Sequence, residues 1–222
     1  MNNFELDDRV KFVKKVYSIL ACQLTLTFGF ILLVKTNDKF TNWMMGDAWP
    51  ITITACIGSI VLMFMIVCCF GRQAPLNLIL LFAFTACETW MIGGLTAQYD
   101  KTTVIQAGAA TALITIALTV YAMNTKVPIE FFGAMSFVIC LGMIPLLIIS
   151  LIIQTKLMYT VYCCFGALLY AIYLIIDTIL ITGGKQTSSV KINMDDYVIG
   201  ALMLYLDIVM LFVYILRILG NK

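Results

Sequence analysis

Residues 197–219 read YVIGALMLYLDIVMLFVYILRIL, and this stretch decides the fold class. It is one apolar run with the length that is needed to cross about 30 Å of hydrocarbon. It carries one acid, Asp207, near its middle, and Arg217 close to its end. A run of this kind lacks the alternation of apolar and polar residues that a β-barrel strand requires. It therefore predicts a membrane-spanning α-helix, whose backbone groups are all paired internally.

Six further apolar runs precede it, at roughly residues 16–35, 51–70, 76–96, 104–123, 132–153 and 158–182. The chain has 222 residues, of which 62% are hydrophobic and only 12% charged, whereas a soluble domain needs roughly a quarter of its residues charged. We predict an all-α membrane protein, a bundle of seven transmembrane helices. Residues 1–15 form a cytosolic N-terminal segment, because Lys and Arg cluster before the first run, and residues 16–222 form a single transmembrane domain.

The interiors of these runs hold three acids, Glu88, Asp177 and Asp207, and no Lys or Arg. A charged carboxylate in the middle of a bilayer is unfavourable by several kcal/mol, so such residues face a protein interior or a water-filled cavity. Without a basic partner, the three acids must be protonated, share protons, or attract a cation from outside.

Asp177 and Asp207 lie in consecutive runs, which are expected to be antiparallel neighbours. Counted from their shared connection, Asp177 is about five residues deep and Asp207 about ten, so their depths differ by roughly 7 Å. A shifted boundary, a helix extended through Gly183 and Gly184, or a tilt would bring them together. In contact they would share a proton and titrate as a unit, which makes a proton-dependent switch. The other interpretation is three unrelated acids, each hydrogen-bonded to a neighbouring helix as a packing element. In the switch interpretation, Glu88 is a lesser candidate for the ion pathway.

Two more acids, Asp195 and Asp196, stand immediately before the last run. They either gather cations near one mouth of a pathway or complement the dipole of the helix that begins at Tyr197.

Enzyme chemistry is not expected. The chain has no histidine, which excludes Ser-His and Cys-His catalysis and His-ligated zinc. An intramembrane aspartyl protease also places two aspartates on consecutive helices. Here, however, no tyrosine precedes Asp177 and no glycine pair precedes Asp207. The eight cysteines lie within or at the edge of apolar runs, as small packing residues do.

Four segments resemble signatures of the transmembrane BAX inhibitor motif family, and together they cover about residues 9 to 220. The opening segment matches RxxFxxKVYxxLxxQL, and the third run has a PLN…FT…E pattern that ends at Glu88. The sixth run has YxxxDT…GG, and the last has (E/D)(E/D)Y…ALxLYLDIxxLF. The residues that carry these matches are Arg9, Phe12, Lys15–Tyr17, Leu20, Gln23, Leu24, Pro75–Asn77, Phe84, Thr85, Glu88, Tyr173, Asp177, Thr178, Gly183, Gly184, Asp195–Tyr197, Ala201, Leu202, Leu204–Ile208, Leu211 and Phe212.

Within the family the chain is more similar to the lifeguard and Golgi anti-apoptotic branch. The resemblance implies a seven-helix bundle in which the other helices enclose the last. It also implies a pH-sensitive leak of stored Ca²⁺ from the Golgi or endoplasmic reticulum, which dampens cell death. Asp177 and Asp207 match the family's proton-sharing pair and would be transient Ca²⁺ ligands. Bacterial relatives latch that pair with an arginine in the second span. Here the nearest arginine is Arg72, at the end of that span.

The sequence does not exclude two other functions: a proton-coupled cation transporter, and a non-conducting membrane regulator that acts through protein partners. The expected partners are the lipid membrane, Ca²⁺ ions and regulatory membrane proteins, with no nucleic acid and no resident cofactor.

Overall fold

The computed structural model of this chain describes residues 3–183, 192, 193 and 195–221, with side chains from Asp7 onward. The helices in this part of the chain are α1 (Asn3–Thr36), α2 (Asp38–Gly46), α3 (Trp49–Met65), which continues into a π-helix (Ile66–Phe70) to complete the second span, α4 (Leu76–Ala97), α5 (Lys101–Asn124), α6 (Ile129–Ile153), α7 (Lys156–Thr182) and α8 (Tyr197–Gly220). All except α2 are long and apolar enough to cross a membrane. The predicted all-α membrane protein with seven spans is confirmed, and its environment is a lipid bilayer.

The ends of the spans follow local sequence chemistry. Thr155 precedes α7, and its hydroxyl accepts a hydrogen bond from the backbone N–H of Met158, which satisfies one of the unpaired groups of the first turn. At the other end of α7, Gly183 adopts a left-handed conformation with φ 73°, which glycine reaches without steric strain. The helix therefore stops at Thr182 and does not extend through Gly183.

Helix α1 begins at Asn3 and continues without interruption into the first span. The N-terminal segment that was assigned to residues 1–15 is therefore helical from Asn3 onward. Arg9 is buried, so this part of the helix already packs against protein.

The short helix α2 lies between the first two predicted spans and was not predicted from the sequence. Asn37 starts it by accepting a hydrogen bond from Phe40 N–H, so the signal was present as an N-cap residue. Helix α2 is held by aromatic contacts, with ring centroids 6.1 Å apart for Phe30 and Phe40 and 6.0 Å apart for Trp43 and Trp90. Trp43 thus joins a ring cluster in addition to standing near the end of the spans.

The chain forms two compact units. The first comprises Met1–Lys101 with Asn193–Tyr205, and the second comprises Thr102–Ile192 with Leu206–Lys222. The division falls inside α8, between Tyr205 and Leu206. The most apolar stretch of α8 is 72% buried within the protein, against 11% for the span that begins at Trp49. Protein thus encloses the last helix, as the resemblance implies.

Candidate functional site

The second unit brings Asp177 of α7 and Asp207 of α8 together. Their carboxyl groups hydrogen-bond to each other, and the two residues are only 8% and 5% exposed. A carboxylate only accepts hydrogen bonds, so this contact requires a proton on one of the two groups. Sharing of that proton by the two acids stays a prediction.

The rotation of α7 is fixed by its opposite face. Ile172, Ile175 and Ile179 pack with Ala122 and Phe132 in a buried apolar cluster. These isoleucines lie roughly half a turn around the helix from Asp177, so their burial directs the carboxyl group toward α8. The observed helix boundaries at Thr182 and Tyr197 match the predicted ones, so α7 is not extended through Gly183. A longer α7 is thus not the reason that the two acids meet.

Two buried oxygen atoms of α7 and α8 have no hydrogen-bond partner among the described residues. They are Asp207 Oδ2, in the acid pair, and Thr178 Oγ1, on the residue that follows Asp177. Buried polar atoms are nearly always paired with protein, water or an ion. Carboxylate and hydroxyl oxygens are the ligands that a hard cation such as Ca²⁺ prefers. The donor chemistry therefore fits a passing Ca²⁺ ion.

The described residues contain no group of three or more His, Cys, Asp or Glu side chains that could hold a metal ion. Ca²⁺ normally takes six to eight oxygen ligands in a resident site. Two carboxylates supply fewer, and transient Ca²⁺ binding by the pair stays a prediction.

Glu88 occupies a different setting, in the first unit. It is half-buried in α4 and faces the hydroxyl of Ser59 in α3, which donates to the Cys56 carbonyl at 3.0 Å. Its partner is therefore a neutral group rather than a second acid. This contact agrees with the interpretation in which an intramembrane acid is a packing element in contact with a neighbouring helix.

Beside it, the first unit contains a buried network of neutral side chains that the sequence reading missed. Gln23 Nε2 donates to Thr85 Oγ1 at 2.8 Å. Thr27 Oγ1 lies 2.9 Å from both the Thr89 and Tyr205 hydroxyl oxygens. The available signal was spacing: Gln23 and Thr27, like Thr85 and Thr89, are four residues apart and share one helix face.

Arg72 and Asp196 form a two-pronged ion pair in the first unit. Arg72 Nε and Nη2 donate to Asp196 Oδ1 and Oδ2 at 2.7 and 2.9 Å. This hydrogen bonding holds the pKa of Asp196 below, and that of Arg72 above, their usual values. Both groups lie outside the spans.

Asp196 is thus tied to a residue 124 positions away. Its carbonyl also accepts from Gly200 N–H in the first turn of α8. Asp195 is exposed beside it. Of the two acids expected at a pathway mouth, one is paired with an arginine and the other faces outward.

Comparisons with known proteins place the chain in a family. The sequence profile described as Inhibitor of apoptosis-promoting Bax1 matches residues 9–222. The chain is 28% identical to human protein lifeguard 3 over 229 aligned residues, which cover 98% of this chain and 72% of that protein. It is 31% identical to the Golgi anti-apoptotic protein of vaccinia virus (strain Lister), over 96% of this chain and 87% of that protein. The mouse lifeguard 3 protein is 28% identical over the same coverage as the human one. The chain therefore belongs to the transmembrane BAX inhibitor motif family.

Proposed function

We propose that this protein is a pH-sensitive Ca²⁺ leak pathway in an intracellular membrane, and that protonation of the Asp177–Asp207 pair gates it. The carrying observation is the hydrogen bond between two buried acids inside the membrane. With one proton the pair links α7 and α8. Without it, two like charges in contact repel each other, and relief comes from separation or from a cation.

The names of the relatives support the proposed biological setting. One is named a Golgi anti-apoptotic protein, and the family is described by inhibition of apoptosis-promoting Bax1. We therefore place this chain in the Golgi or endoplasmic reticulum membrane, with its N-terminus in the cytosol, as a non-enzymatic protein that dampens cell death. Loss of stored Ca²⁺ through the leak would be its means.

The remaining acids have supporting roles in this proposal. Asp195 is the exposed acid at the start of α8, where it attracts cations to the cytosolic side. Asp196 anchors the same turn through Arg72. Glu88, facing Ser59, contributes an oxygen-rich point in the first unit and is not part of the gate.

The test is Ca²⁺ flux into liposomes that contain the purified protein, measured between about pH 5 and pH 8. The variants are Asp177→Asn and Asp207→Asn, whose amides keep a hydrogen bond to the remaining acid but cannot lose a proton in this range. We expect both to flatten the pH dependence that the wild type shows. Asp47→Asn is the matched control, because it makes the same chemical change at an exposed acid outside the pair and should keep the pH dependence.

The result that would overturn the gate is a wild-type pH profile that persists in both pair variants. Absence of Ca²⁺ flux in every protein would contradict the leak itself and favour a regulator that acts through partners. Proton movement in fixed ratio to Ca²⁺ movement would identify a coupled transporter instead.

A further inference from the structure

Helix α7 carries a stripe of tyrosines that leads away from the aspartate pair. The stripe runs through Tyr159, Tyr162, Gly166, Tyr170, Tyr173 and Asp177, at steps of three or four residues. Residues at these steps lie on one face of an α-helix. From Tyr162 to Asp177 the stripe is about 22 Å long, which is most of the hydrocarbon thickness.

Tyr214 of α8 fills the gap in this stripe. Its ring centroid is 6.2 Å from that of Tyr162 and 5.8 Å from that of Tyr170. Those two tyrosines stand one turn before and one turn after Gly166. A Cβ atom added at Gly166 would come closer than 3.0 Å to three atoms of the Tyr214 ring. The ring therefore sits in a notch that exists only because residue 166 is glycine.

We use the term tyrosine column for Tyr162, Tyr170, Tyr173 and Tyr214. Near one end, Tyr170 and Tyr173 lie within electrostatic range of Asp207. At the other end, the last turn of α8 is tied to the first turns of α7, because Asn221 Nδ2 donates to Lys156 O and Thr160 Oγ1. The column thus connects the acid pair with the end of α8, through an otherwise largely apolar cluster that includes Met143, Leu169, Ile139 and Ile218.

A cation that leaves the acid pair toward this end of α8 needs oxygen atoms to replace its hydration shell. Each tyrosine of the column carries a hydroxyl oxygen that can supply such an atom, and the Tyr162 and Tyr214 side chains lie within electrostatic range of each other. However, the Tyr214 ring is only 7% exposed and occupies the notch. The ring of Tyr214 therefore closes the column between Tyr162 and Tyr170.

We propose that Tyr214 is the plug of this ion path, and that its ring closes the path by lying in the Gly166 notch between Tyr162 and Tyr170. This inference rests on the proposed leak function. It places the barrier between the aspartate pair and the C-terminal end of α8. Removal of the ring leaves a cavity bordered by tyrosine hydroxyl groups, and a polar cavity of that size takes up water. Displacement of the ring is then the step that opens the path.

The experiment compares Ca²⁺ flux of Tyr214→Ala, Tyr214→Phe and Leu216→Ala in the same liposomes, at the pH where the wild type conducts least. A two-state device of this kind holds its minor state at roughly 0.1–10%, so Tyr214→Ala should raise flux about tenfold or more. Tyr214→Phe keeps the ring and should conduct like the wild type. Leu216 is fully buried, and its side chain points away from that of Tyr214, so Leu216→Ala controls for a cavity elsewhere in the same helix.

A second pair of variants keeps the proposal testable if Tyr214→Ala does not yield folded protein. Gly166→Ala pushes the ring out of its notch without deleting it and should also raise flux. Gly142→Ala in α6 adds the same methyl group where nothing lies within 4 Å and should leave flux unchanged.

Several outcomes distinguish a failure of the plug proposal from a failure of the leak proposal. If the wild type conducts with a pH dependence and both Tyr214→Ala and Gly166→Ala match it, the plug is wrong and the leak stands. If Tyr214→Phe conducts as much as Tyr214→Ala, the hydroxyl and not the ring forms the barrier, which also overturns the plug. High flux in Tyr214→Ala with a closed wild type at every pH would support the plug and contradict gating by the acid pair.

Discussion

Tyr205 and Asp207 are two residues apart in the last helix, yet their polar atoms have opposite surroundings. In the first unit, the Tyr205 hydroxyl meets Thr27 Oγ1 at 2.9 Å. In the second unit, the Asp207 carboxyl meets another acid, and its Oδ2 has no partner among the described residues. The first contact joins neutral groups and needs no added proton. The second exists only while one acid keeps its proton.

The difference is between a contact of neutral groups, which we expect to be fixed, and a contact of two acids, which we propose to be switchable. Thr27 Oγ1 donates to the Gln23 carbonyl and is in contact with the Thr89 and Tyr205 hydroxyls. One proton and two lone pairs suffice for these three bonds. Such a network has no reason to change between acidic and neutral pH. The acid pair has no such fixed arrangement, because its charge depends on the pH around it.

A third contact completes the series. Asp196 also belongs to the region of the last helix, but its partner is the guanidinium of Arg72. Opposite charges satisfy each other without a proton. The chain thus places one aspartate with a base outside the spans and two with each other inside them.

The largest expected effect on stability comes from the packing of the Tyr214 ring against Gly166 in the second unit. Gly166→Ala forces the Tyr214 ring from its notch, and overpacking of this kind lowers the free energy of unfolding by about 1–3 kcal/mol. Gly142→Ala should leave it unchanged or raise it by up to about 1 kcal/mol, because alanine favours a helix. Thermal unfolding in detergent measures both. Equal stability of the two variants would show that the notch is not tightly packed.

An intermediate effect is expected in the first unit. Thr27→Val removes the shared hydroxyl and leaves Tyr205 without that partner, which should lower the free energy of unfolding by about 1–2 kcal/mol. The flux–pH profile should keep its shape, since the network has no titrating member. Thr25→Val is the control on the same helix, because Thr25 is exposed and its hydroxyl bonds only to Ala21 O. A changed pH profile in Thr27→Val would mean that the fixed and switchable contacts are coupled.

The smallest effect is expected outside the spans. The pKa of Asp196 is lowered by its hydrogen bond to Arg72, so its stabilising contribution is present above the unfolded-state value of about 3.9. The contribution is lost as pH falls through the still lower folded value. Asp196→Asn should therefore reduce stability slightly at neutral pH, and the difference from the wild type should disappear in strong acid.

The Arg72 side chain is 65% exposed, so solvent screens the pair and added salt should weaken it further. Arg72→Gln should match Asp196→Asn, and the double variant should lose no more than either alone. Additive losses in thermal unfolding would show that the two residues act independently.

Much of the fold and part of the candidate site could be predicted from the sequence. The seven spans follow from run length alone. Six of them have boundaries within three residues of the predicted ones, whereas the first begins nine residues earlier than predicted, at Asp7. The three intramembrane acids were identified because charge is rare there. Helix α2 was missed, because its nine residues form no apolar run and aromatic packing holds it in place. The Thr27 network was missed because threonine is ordinary in membrane helices.

The sequence by itself determined that this chain crosses a membrane seven times and carries acids within it. Each span satisfies its backbone hydrogen bonds internally, so composition and length suffice. Only the tertiary structure decided which partner each side chain takes. It joined Asp196 to Arg72, Asp177 to Asp207, and the Tyr214 ring to the Gly166 notch. Those pairings depend on the rotation and tilt of whole helices, which distant apolar clusters fix and no local pattern encodes.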